Sequence, residues 1–390
     1  MNATPIDPRV LVQQAIEALR RGDAAAARDR FQQIIAAGAG DASVWLGLAL
    51  ALGRLGDGPG KLTAIDRALA LEPANLRARI MKADHFTEAG DARAASAFYA
   101  AVVRNAPPPD QLPPDLRAEV ARARMMSQRY AADYEAFLRE KLAGQGFDPL
   151  GRFAQSLDLM FGRKRIYLQE PKHYYFPELP QIQFYDRDQF PWLDALEAAT
   201  DDIRAELIEV MKDGAAFTPY LESRPDRPYK DVHGMIDNLD WSAFYLWRNG
   251  APQEENIARC PKTAAALAGA PLATIEGRTP SVLFSLLRPG AAIPPHNGFV
   301  NTRLICHLPL IVPDGCTFRV GNDIRDWKEG KAWVFDDTIE HEAWNRSTET
   351  RVILLFDVWR PELSEAERAQ VASMFEAIDA YGGQAEDWTM

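Results

Sequence analysis

The residues best suited to chemistry are gathered in one stretch, Phe284 to Pro361. It holds Pro295-His296-Asn297-Gly298, then Asn301-Thr302-Arg303-Leu304-Ile305-Cys306-His307, then Glu340-His341-Glu342, and finally Arg351. Three of the six histidines of the chain are here. Neutral imidazole is a good ligand for divalent transition metals. A guanidinium offers a carboxylate two parallel hydrogen bonds. Two histidines separated by β-type sequence and followed by one arginine therefore suggest a metal site with an anion anchor beside it. The common non-haem iron set is two histidines and one carboxylate, with the first histidine and the carboxylate as His-x-Asp/Glu. His296-Asn297-Gly298 lacks that carboxylate, so spacing alone leaves open that both histidines are structural. Asp336, Asp337, Glu340 and Glu342 lie near His341. They read either as partners for a ring nitrogen or as a solvated turn.

A chain of 390 residues suits two domains better than one. At 47% hydrophobic and 25% charged it has the composition of a soluble globular protein. A net charge of -11 argues against a nucleic-acid partner, which needs a basic face. Met1–Pro8 has no basic segment leading into an apolar one, so it does not read as a secretory signal. No apolar run approaches the ~20 residues of a membrane span; the nearest is Val44 to Leu52. Cys260, Cys306 and Cys316 are odd in number and lack CxxC spacing, so they read as buried thiols of a reducing, cytoplasmic compartment.

The first third repeats. Gly-Asp recurs at Gly22-Asp23, Gly56-Asp57 and Gly90-Asp91, a period of 34 residues. Ala27 and Ala95 share a small slot, which Lys61 breaks in the middle copy. Phe31, Ile65 and Tyr99 share a bulky slot, and Ile34, Ala68 and Val102 another. Pro73 and Pro107 close the second and third copies. This resembles the tetratricopeptide repeat in period and slot chemistry. Each copy is expected to be two amphipathic helices around a Gly-Asp turn, stacked because none buries its apolar face alone. The copies span about 8–41, 42–75 and 76–109, with capping helices over 114–143 and Tyr130, Tyr134 and Phe137 along one face. The repeat domain is thus 1–145, with a linker over 146–171 marked by Gly144-Gln145-Gly146 and Pro149, and a second domain over 172–390.

In that second domain Phe190 to Met211 reads as a helix with acidic residues early. Trp241 to Trp247 alternates like a strand and stops at Arg248-Asn249-Gly250, a hairpin-type turn. Lys262 to Leu267 suggests a short helix. Strands follow at 282–287, 303–311, 317–320, 331–335 and 351–359, punctuated by Pro-Gly, Pro-Asp-Gly and Gly-Asn-Asp turns, with a terminal helix over 364–381. Short strands with regular turns after a helical lead-in predict a double-stranded β-helix, the jelly-roll or cupin-like architecture, with flanking helices.

The ordered blocks are similar to the aspartyl/asparaginyl β-hydroxylase family. They are Trp241-Ser242-x-Phe244-x-Leu246-Trp247, Pro261-Lys262-Thr263, Ser285, His296-x-Gly298, Asn301-x-Arg303-Leu304-x-x-His307-Leu308, Gly315-Cys316, Trp327-x-Glu329-Gly330-Lys331, Phe335-Asp336-Asp337, Glu340-His341-Glu342, Trp344, Arg351 and Asp357-Val358-Trp359 with Pro361-Glu362-Leu363. They cover roughly 172–370, and the family includes members with a helical-repeat region upstream. The resemblance implies an Fe(II)- and 2-oxoglutarate-dependent dioxygenase whose iron is held by His296 and His341, with Gly298 where the carboxylate would be. It implies that Arg351 and Ser285 bind the distal carboxylate of 2-oxoglutarate and that His307 contacts its other end. Arg303 and Trp241 fall at substrate-facing positions. Two departures concern the substrate. Ile305 replaces a second arginine of members that act on protein domains, for which Arg288, Arg319 or Arg248 are substitutes, and Cys260 has no partner for the disulfide of secretory-pathway members.

The expected reaction uses dioxygen, turns 2-oxoglutarate into succinate and carbon dioxide, and hydroxylates the β-carbon of an Asp or Asn residue. The repeats would present a peptide or protein, with no nucleic acid or membrane partner. The competing readings are the same chemistry on a small amino acid, a peptide product or a lipid acyl chain, and an inactive repeat-based adaptor.

Overall fold

In the computed structural model, which describes residues 7–146, 148, 151–223 and 234–382, the chain divides into two units, Met1–Phe161 and Gly162–Met390. Pro149 of the expected boundary lies outside the described residues. The first unit is helical: α1 (Pro8–Arg20), α2 (Ala24–Ala36), α3 (Ala42–Arg54), α4 (Gly58–Leu71), α5 (Leu76–Glu88), α6 (Ala92–Asn105), α7 (Pro114–Ala143) and α8 (Arg152–Met160). The Gly-Asp pairs explain its regularity. Gly22, Gly56 and Gly90 take φ of 81°, 76° and 76°, a left-handed conformation that glycine adopts without a Cβ clash. The aspartate that follows caps the next helix by accepting from the backbone N–H of Ala26, Gly60 or Ala94, satisfying a donor the helix start leaves free.

The repeat slots are the core of this unit. Phe31, Ile65 and Tyr99 are buried, as are Ile34, Ala68 and Val102. The middle copy tolerates Lys61 because Gly53 leaves room for its stem, while its ammonium reaches Glu88 at 2.6 Å. Helix α7 departs from the expected capping face. Its first half packs, with Val120 and Ala123 buried and Tyr130 stacked on Tyr99 at 6.0 Å, but Tyr134 and Phe137 are 56% and 53% exposed. A helix of 30 residues outruns the two-helix repeat it covers. The segment read as a linker also carries α8, and its last residues belong to the second unit.

The second unit has helices α9 (Leu193–Ala198), α10 (Thr200–Met211), α11 (Glu254–Arg259), α12 (Pro261–Leu267) and α13 (Glu365–Gly382). Its strands are β1 (Thr218–Pro219), β2 (Trp241–Arg248), β3 (Ala251–Pro252), β4 (Val282–Leu287), β5 (Ala292–His296), β6 (Arg303–Ile311), β7 (Cys316–Val320), β8 (Asp323–Asp326), β9 (Trp333–Phe335), β10 (His341–Asn345) and β11 (Arg351–Trp359). They form a larger antiparallel sheet, ordered β1-β2-β4-β11-β6-β9 with β3 on β2, and a four-stranded one ordered β5-β10-β7-β8. This is the jelly-roll arrangement. The Asn249-Gly250 turn joins β2 to β3 with both residues at positive φ, 52° and 78°, as a primed hairpin turn requires.

Period-two alternation sorts the larger sheet into two faces. Phe284, Leu304, Cys306, Leu308, Val352, Leu354 and Phe356 face one way and pack on Leu193, Leu196, Ile203, Leu207 and Leu267 of the helices. Ile305, Ile353, Leu287 and Phe335 face the other way and meet Phe318, Val320 and Ala343 of the smaller sheet. The single helix expected over 190–211 breaks at Ala199 into α9 and α10, where the Thr200 hydroxyl donates to the Glu197 carbonyl at 2.6 Å.

Strands β5 and β10, which carry His296 and His341, are not legible in the sequence. Pro294 and Pro295 remove two ladder donors, which confines such a segment to a sheet edge, and β5 is indeed the edge of its sheet.

Replacing Ile65, fully buried in the middle repeat, tests the repeat reading. Ile65→Ala should cost about 2–5 kcal/mol and lower the urea midpoint of the far-ultraviolet helical signal. A midpoint equal to wild type would show that the bulky slot is not a core position.

Candidate active site

His296 and His341 stand directly opposite each other in the β5–β10 pair, their ring centroids 4.0 Å apart. Each ring is oriented by its own strand end. The His296 Nδ1–H donates to the Pro294 carbonyl at 2.7 Å and that of His341 to the Ile339 carbonyl at 3.1 Å. The Nε2 atoms of both are thereby left as acceptors. His341 is buried and His296 keeps a partly exposed edge. Desolvation pushes His296 down to about 4 and His341 well below the ordinary imidazole range, so both are neutral.

Gly298 lines the same cavity as the two histidines. A Cβ there would collide with the Asp337 carboxylate. Its backbone is locked to the opposite loop, with the Gly298 N–H donating to the Asp337 carbonyl at 2.7 Å and the Asn297 amide to the Thr338 carbonyl at 2.9 Å. Close approach, and not backbone conformation, requires glycine here. Among the described residues there is no group of three or more His, Cys, Asp or Glu able to hold a metal. The donor set is thus two neutral imidazoles, which fits a borderline divalent ion that keeps several positions for other ligands.

The larger sheet supplies the rest of the pocket through its inward face. Arg303, Ile305 and His307 alternate along β6; Arg351, Ile353, Leu355 and Asp357 alternate along β11. Ser285 comes from β4 and Trp241 from β2. Tyr220 stacks on Trp241 at 4.0 Å, and Trp241 Nε1 donates to the Ser285 hydroxyl oxygen at 3.3 Å. All seven residues singled out from the sequence, His296, His341, Ser285, His307, Arg351, Arg303 and Trp241, therefore line one cavity.

The two arginines of this cavity differ. Arg303 donates to Asp357 at 2.7 Å and lies 3.3 Å from Asp337. Its charge is taken up by two buried carboxylates, and only its Nε lacks a partner. Burial pushes Asp337 up to about 6 against the attraction of Arg303. Arg351 is 1% exposed and, among the described residues, has no carboxylate within ion-pair distance. Its guanidinium donates to the Ser285 carbonyl at 3.2 Å, and its Nε is unpartnered. Burial pulls its pKa down to about 10. His307 beside it is held neutral by desolvation and by the Arg351 charge, and its Nδ1 also lacks a partner.

The aspartates before His341 are no solvated turn. Asp336 is fully buried and accepts from Arg360 at 2.8 Å, Gln169 at 2.6 Å and the Thr338 hydroxyl at 2.6 Å. Glu340 and Glu342 pair instead with Arg319. Arg248 pairs with Glu222 and Arg288 is exposed outside the pocket, so none of the three arginines named as substitutes for Ile305 enters it. Ile305 itself lines the cavity.

The family model for aspartyl/asparaginyl beta-hydroxylase matches residues 197–361. An ornithine lipid ester-linked acyl 2-hydroxylase of Rhizobium tropici is 37% identical over 206 residues, 52% of this chain and 69% of that protein. The chain belongs to the aspartyl/asparaginyl β-hydroxylase family. Membership makes it a hydroxylase of the oxygenase type, which consumes dioxygen. An aspartyl/asparaginyl beta-hydroxylase of Mus musculus is 39% identical over 136 residues, 35% of this chain but only 18% of that protein. Among solved structures, PcrH from Pseudomonas aeruginosa aligns with a TM-score of 0.30 at 19% identity, over 33% of this chain and 95% of its own.

Lys172 escaped the sequence reading and lies upstream of the family match. Its backbone N–H donates to the Gly298 carbonyl at 3.0 Å, and its ammonium lies 5.2 Å from the Phe299 ring centre, where Asp337 attracts it. Nothing in a His-Tyr-Tyr-Phe context marks such a residue, because only the tertiary pairing of 172–174 with 298–299 brings it to the site.

Two substitutions separate structure from binding here. Arg303→Met strands Asp337 and Asp357 and should cost about 3–5 kcal/mol in urea unfolding; a residue that served substrate alone would leave stability unchanged. Gly298→Ala drives a methyl into Asp337 and should weaken Mn(II) binding roughly 10- to 100-fold by isothermal titration calorimetry, and undiminished affinity would refute the close-approach account.

Proposed function

We propose that this hydroxylase is Fe(II)- and 2-oxoglutarate-dependent, with His296 and His341 as the protein ligands of iron. The observation that carries the reading is Arg351, a buried guanidinium without a carboxylate partner among the described residues, in the same cavity as the two facing histidines. An uncompensated buried charge costs several kcal/mol, and a dicarboxylate ligand removes that cost. Arg351 and the Ser285 hydroxyl bind its distal carboxylate. Trp241 donates to Ser285 Oγ, which leaves the hydroxyl hydrogen to point at the ligand. Neutral His307 meets the cosubstrate as an uncharged partner. The carbonyl-anchored Nδ1 atoms hold both metal-binding rings in one tautomer. With iron and 2-oxoglutarate bound, the site would couple decarboxylation of the cosubstrate by dioxygen to hydroxylation of an unactivated C–H bond.

The substrate is an Asp or Asn residue of a peptide or protein, hydroxylated at its β-carbon. The helical repeats would present it, and Arg303 Nε, left unpartnered by the two aspartates, with Trp241 would face it. A cytoplasmic setting suits three buried thiols that form no disulfide. A second reading has its own support. Ile293, Ile305, Ile353 and Leu355 make the pocket wall apolar, and the Rhizobium tropici relative is named for hydroxylating an acyl chain. The two readings share one chemistry: the β-carbon of Asp or Asn and carbon 2 of an acyl chain are both adjacent to a carbonyl carbon.

Fe(II)-dependent succinate formation from 2-oxoglutarate should vanish in His341→Ala, and Arg351→Met should raise the KM for 2-oxoglutarate roughly tenfold or more. Mass spectrometry of treated lysate should find a gain of one oxygen, about 16 Da, on Asp or Asn; the same gain confined to lipid acyl chains would select the second reading. Succinate formation that needs neither iron nor His341 would overturn the proposal.

A further inference from the structure

The sequence block Trp327-Lys328-Glu329-Gly330-Lys331 has one buried residue whose polar group the fold leaves unpaired. Glu329 accepts from the Val312 N–H at 2.9 Å, the Gly330 N–H donates to the Pro309 carbonyl at 2.9 Å, and Lys331 reaches Glu197 at 3.0 Å. These contacts hold the turn that follows β8. Trp327 takes no part in them. It is 5% exposed, lines the cavity, and its indole N–H has no hydrogen-bond partner. A buried donor left unmade costs about 1–3 kcal/mol, which a ligand acceptor would recover. Trp333 also has an unpartnered indole N–H, but it does not line the cavity.

The ring of Trp327 bears directly on the anchor. The Arg351 guanidinium carbon lies 4.8 Å from its ring centre, within the range of a cation–π contact. The indole is also supported by aromatic rings, with Phe318 at 5.4 Å and Trp333 at 6.0 Å, both stacked on it. His307 approaches at 6.1 Å. Polar capacity that the fold leaves unused is therefore carried by Arg351 Nε, His307 Nδ1, the Ser285 hydroxyl hydrogen and Trp327 Nε1, and in the same cavity by Arg303 Nε and Asp337 Oδ1 within their ion pair. The first three already have a place in the cosubstrate reading.

We propose that Trp327 is a cosubstrate-binding residue: its face holds the Arg351 guanidinium in position, and its indole N–H donates to the distal carboxylate that Arg351 binds. The assignment rests on the cosubstrate reading of Arg351 and adds an uncharged donor that fixes the orientation of the carboxylate as well as its charge. It makes the site selective for 2-oxo acids with a second carboxylate, because a shorter 2-oxo acid reaches neither Arg351 nor the indole.

The full chain loaded with Mn(II) tests this by titration with N-oxalylglycine, which carries a distal carboxylate, and with oxamate, which does not. Trp327→Phe keeps a ring under Arg351 and removes the donor. It should weaken N-oxalylglycine roughly 10- to 100-fold, the range of a hydrogen bond to a charged group, and leave oxamate unchanged. Trp327→Leu, which also removes the ring face, should weaken N-oxalylglycine further. Wild-type affinity of Trp327→Phe for N-oxalylglycine, or an equal loss for oxamate, overturns the assignment. Arg351→Met separates the two proposals. If it weakens N-oxalylglycine while Trp327→Phe does not, only Trp327 is wrongly placed; if it has no effect, the cosubstrate reading falls and this inference with it. A crystal structure of the unaltered protein with Mn(II) and N-oxalylglycine checks the contact without a variant. Trp327 Nε1 should lie about 3 Å from a distal carboxylate oxygen, and a separation beyond about 3.6 Å refutes the bond.

Discussion

Strand β11 is hydrogen-bonded to β4 on one edge and to β6 on the other, and it is buried on both faces. Its even-numbered residues Val352, Leu354, Phe356 and Val358 pack against the helices, while Arg351, Ile353, Leu355 and Asp357 face the cavity. A slip of one residue would exchange these sets. It would drive Arg351 and Asp357 into the apolar layer beneath α9 and α10. The register is therefore held by hydrophobic burial on one side, and that burial aims the charged groups on the other. The same logic carries through β6, where Leu304, Cys306 and Leu308 secure the direction of Arg303, Ile305 and His307.

Within the cavity so formed, charge is distributed unevenly. Arg303 is enclosed by Asp337 and Asp357 and belongs to the framework as much as to any ligand. Arg351 has no such partner among the described residues, so its charge stays without a buried counter-charge in the cavity. The histidines carry no charge at neutral pH because the surrounding protein desolvates them. Asp337 occupies the space beside Gly298 that a longer side chain would take. The loop that bears Asp337 is itself held by the fully buried Asp336–Arg360 pair, so the geometry of the histidine pair depends on a charge pair outside the pocket. Tyr185, pushed far above its ordinary value by burial, stays protonated and shares Arg360 with Asp336.

The helical unit obeys a different rule. Its order comes from nearest-neighbour stacking, with a left-handed glycine and a capping aspartate at each turn. The core of each helix pair is local in sequence, which is why the 34-residue period exposes it so directly. Lys61 shows the tolerance of such an array: the slot is kept by shifting volume to Gly53 and charge to Glu88.

Periodicity, turn residues and reactive side chains are local properties, so the repeat, the jelly-roll class and the set of His296, His341 and Arg351 can be read along the chain, while Ser285, His307, Arg303 and Trp241 stand out only through the resemblance to the family. Pairing cannot be read that way. Arg303 and Arg351 look alike in sequence, yet one is neutralised by aspartates 34 and 54 positions away and the other is not. The two strands that carry His296 and His341 are hidden for the same reason. Prolines and acidic residues give β5 and β10 the local look of loops, and only pairing across the smaller sheet makes them strands. Lys172 and Trp327 reach the site through contacts between segments distant in the chain. Which side chains exist is a matter of sequence; which charges remain unpaired in a low-dielectric cavity is decided only when the chain has closed around them.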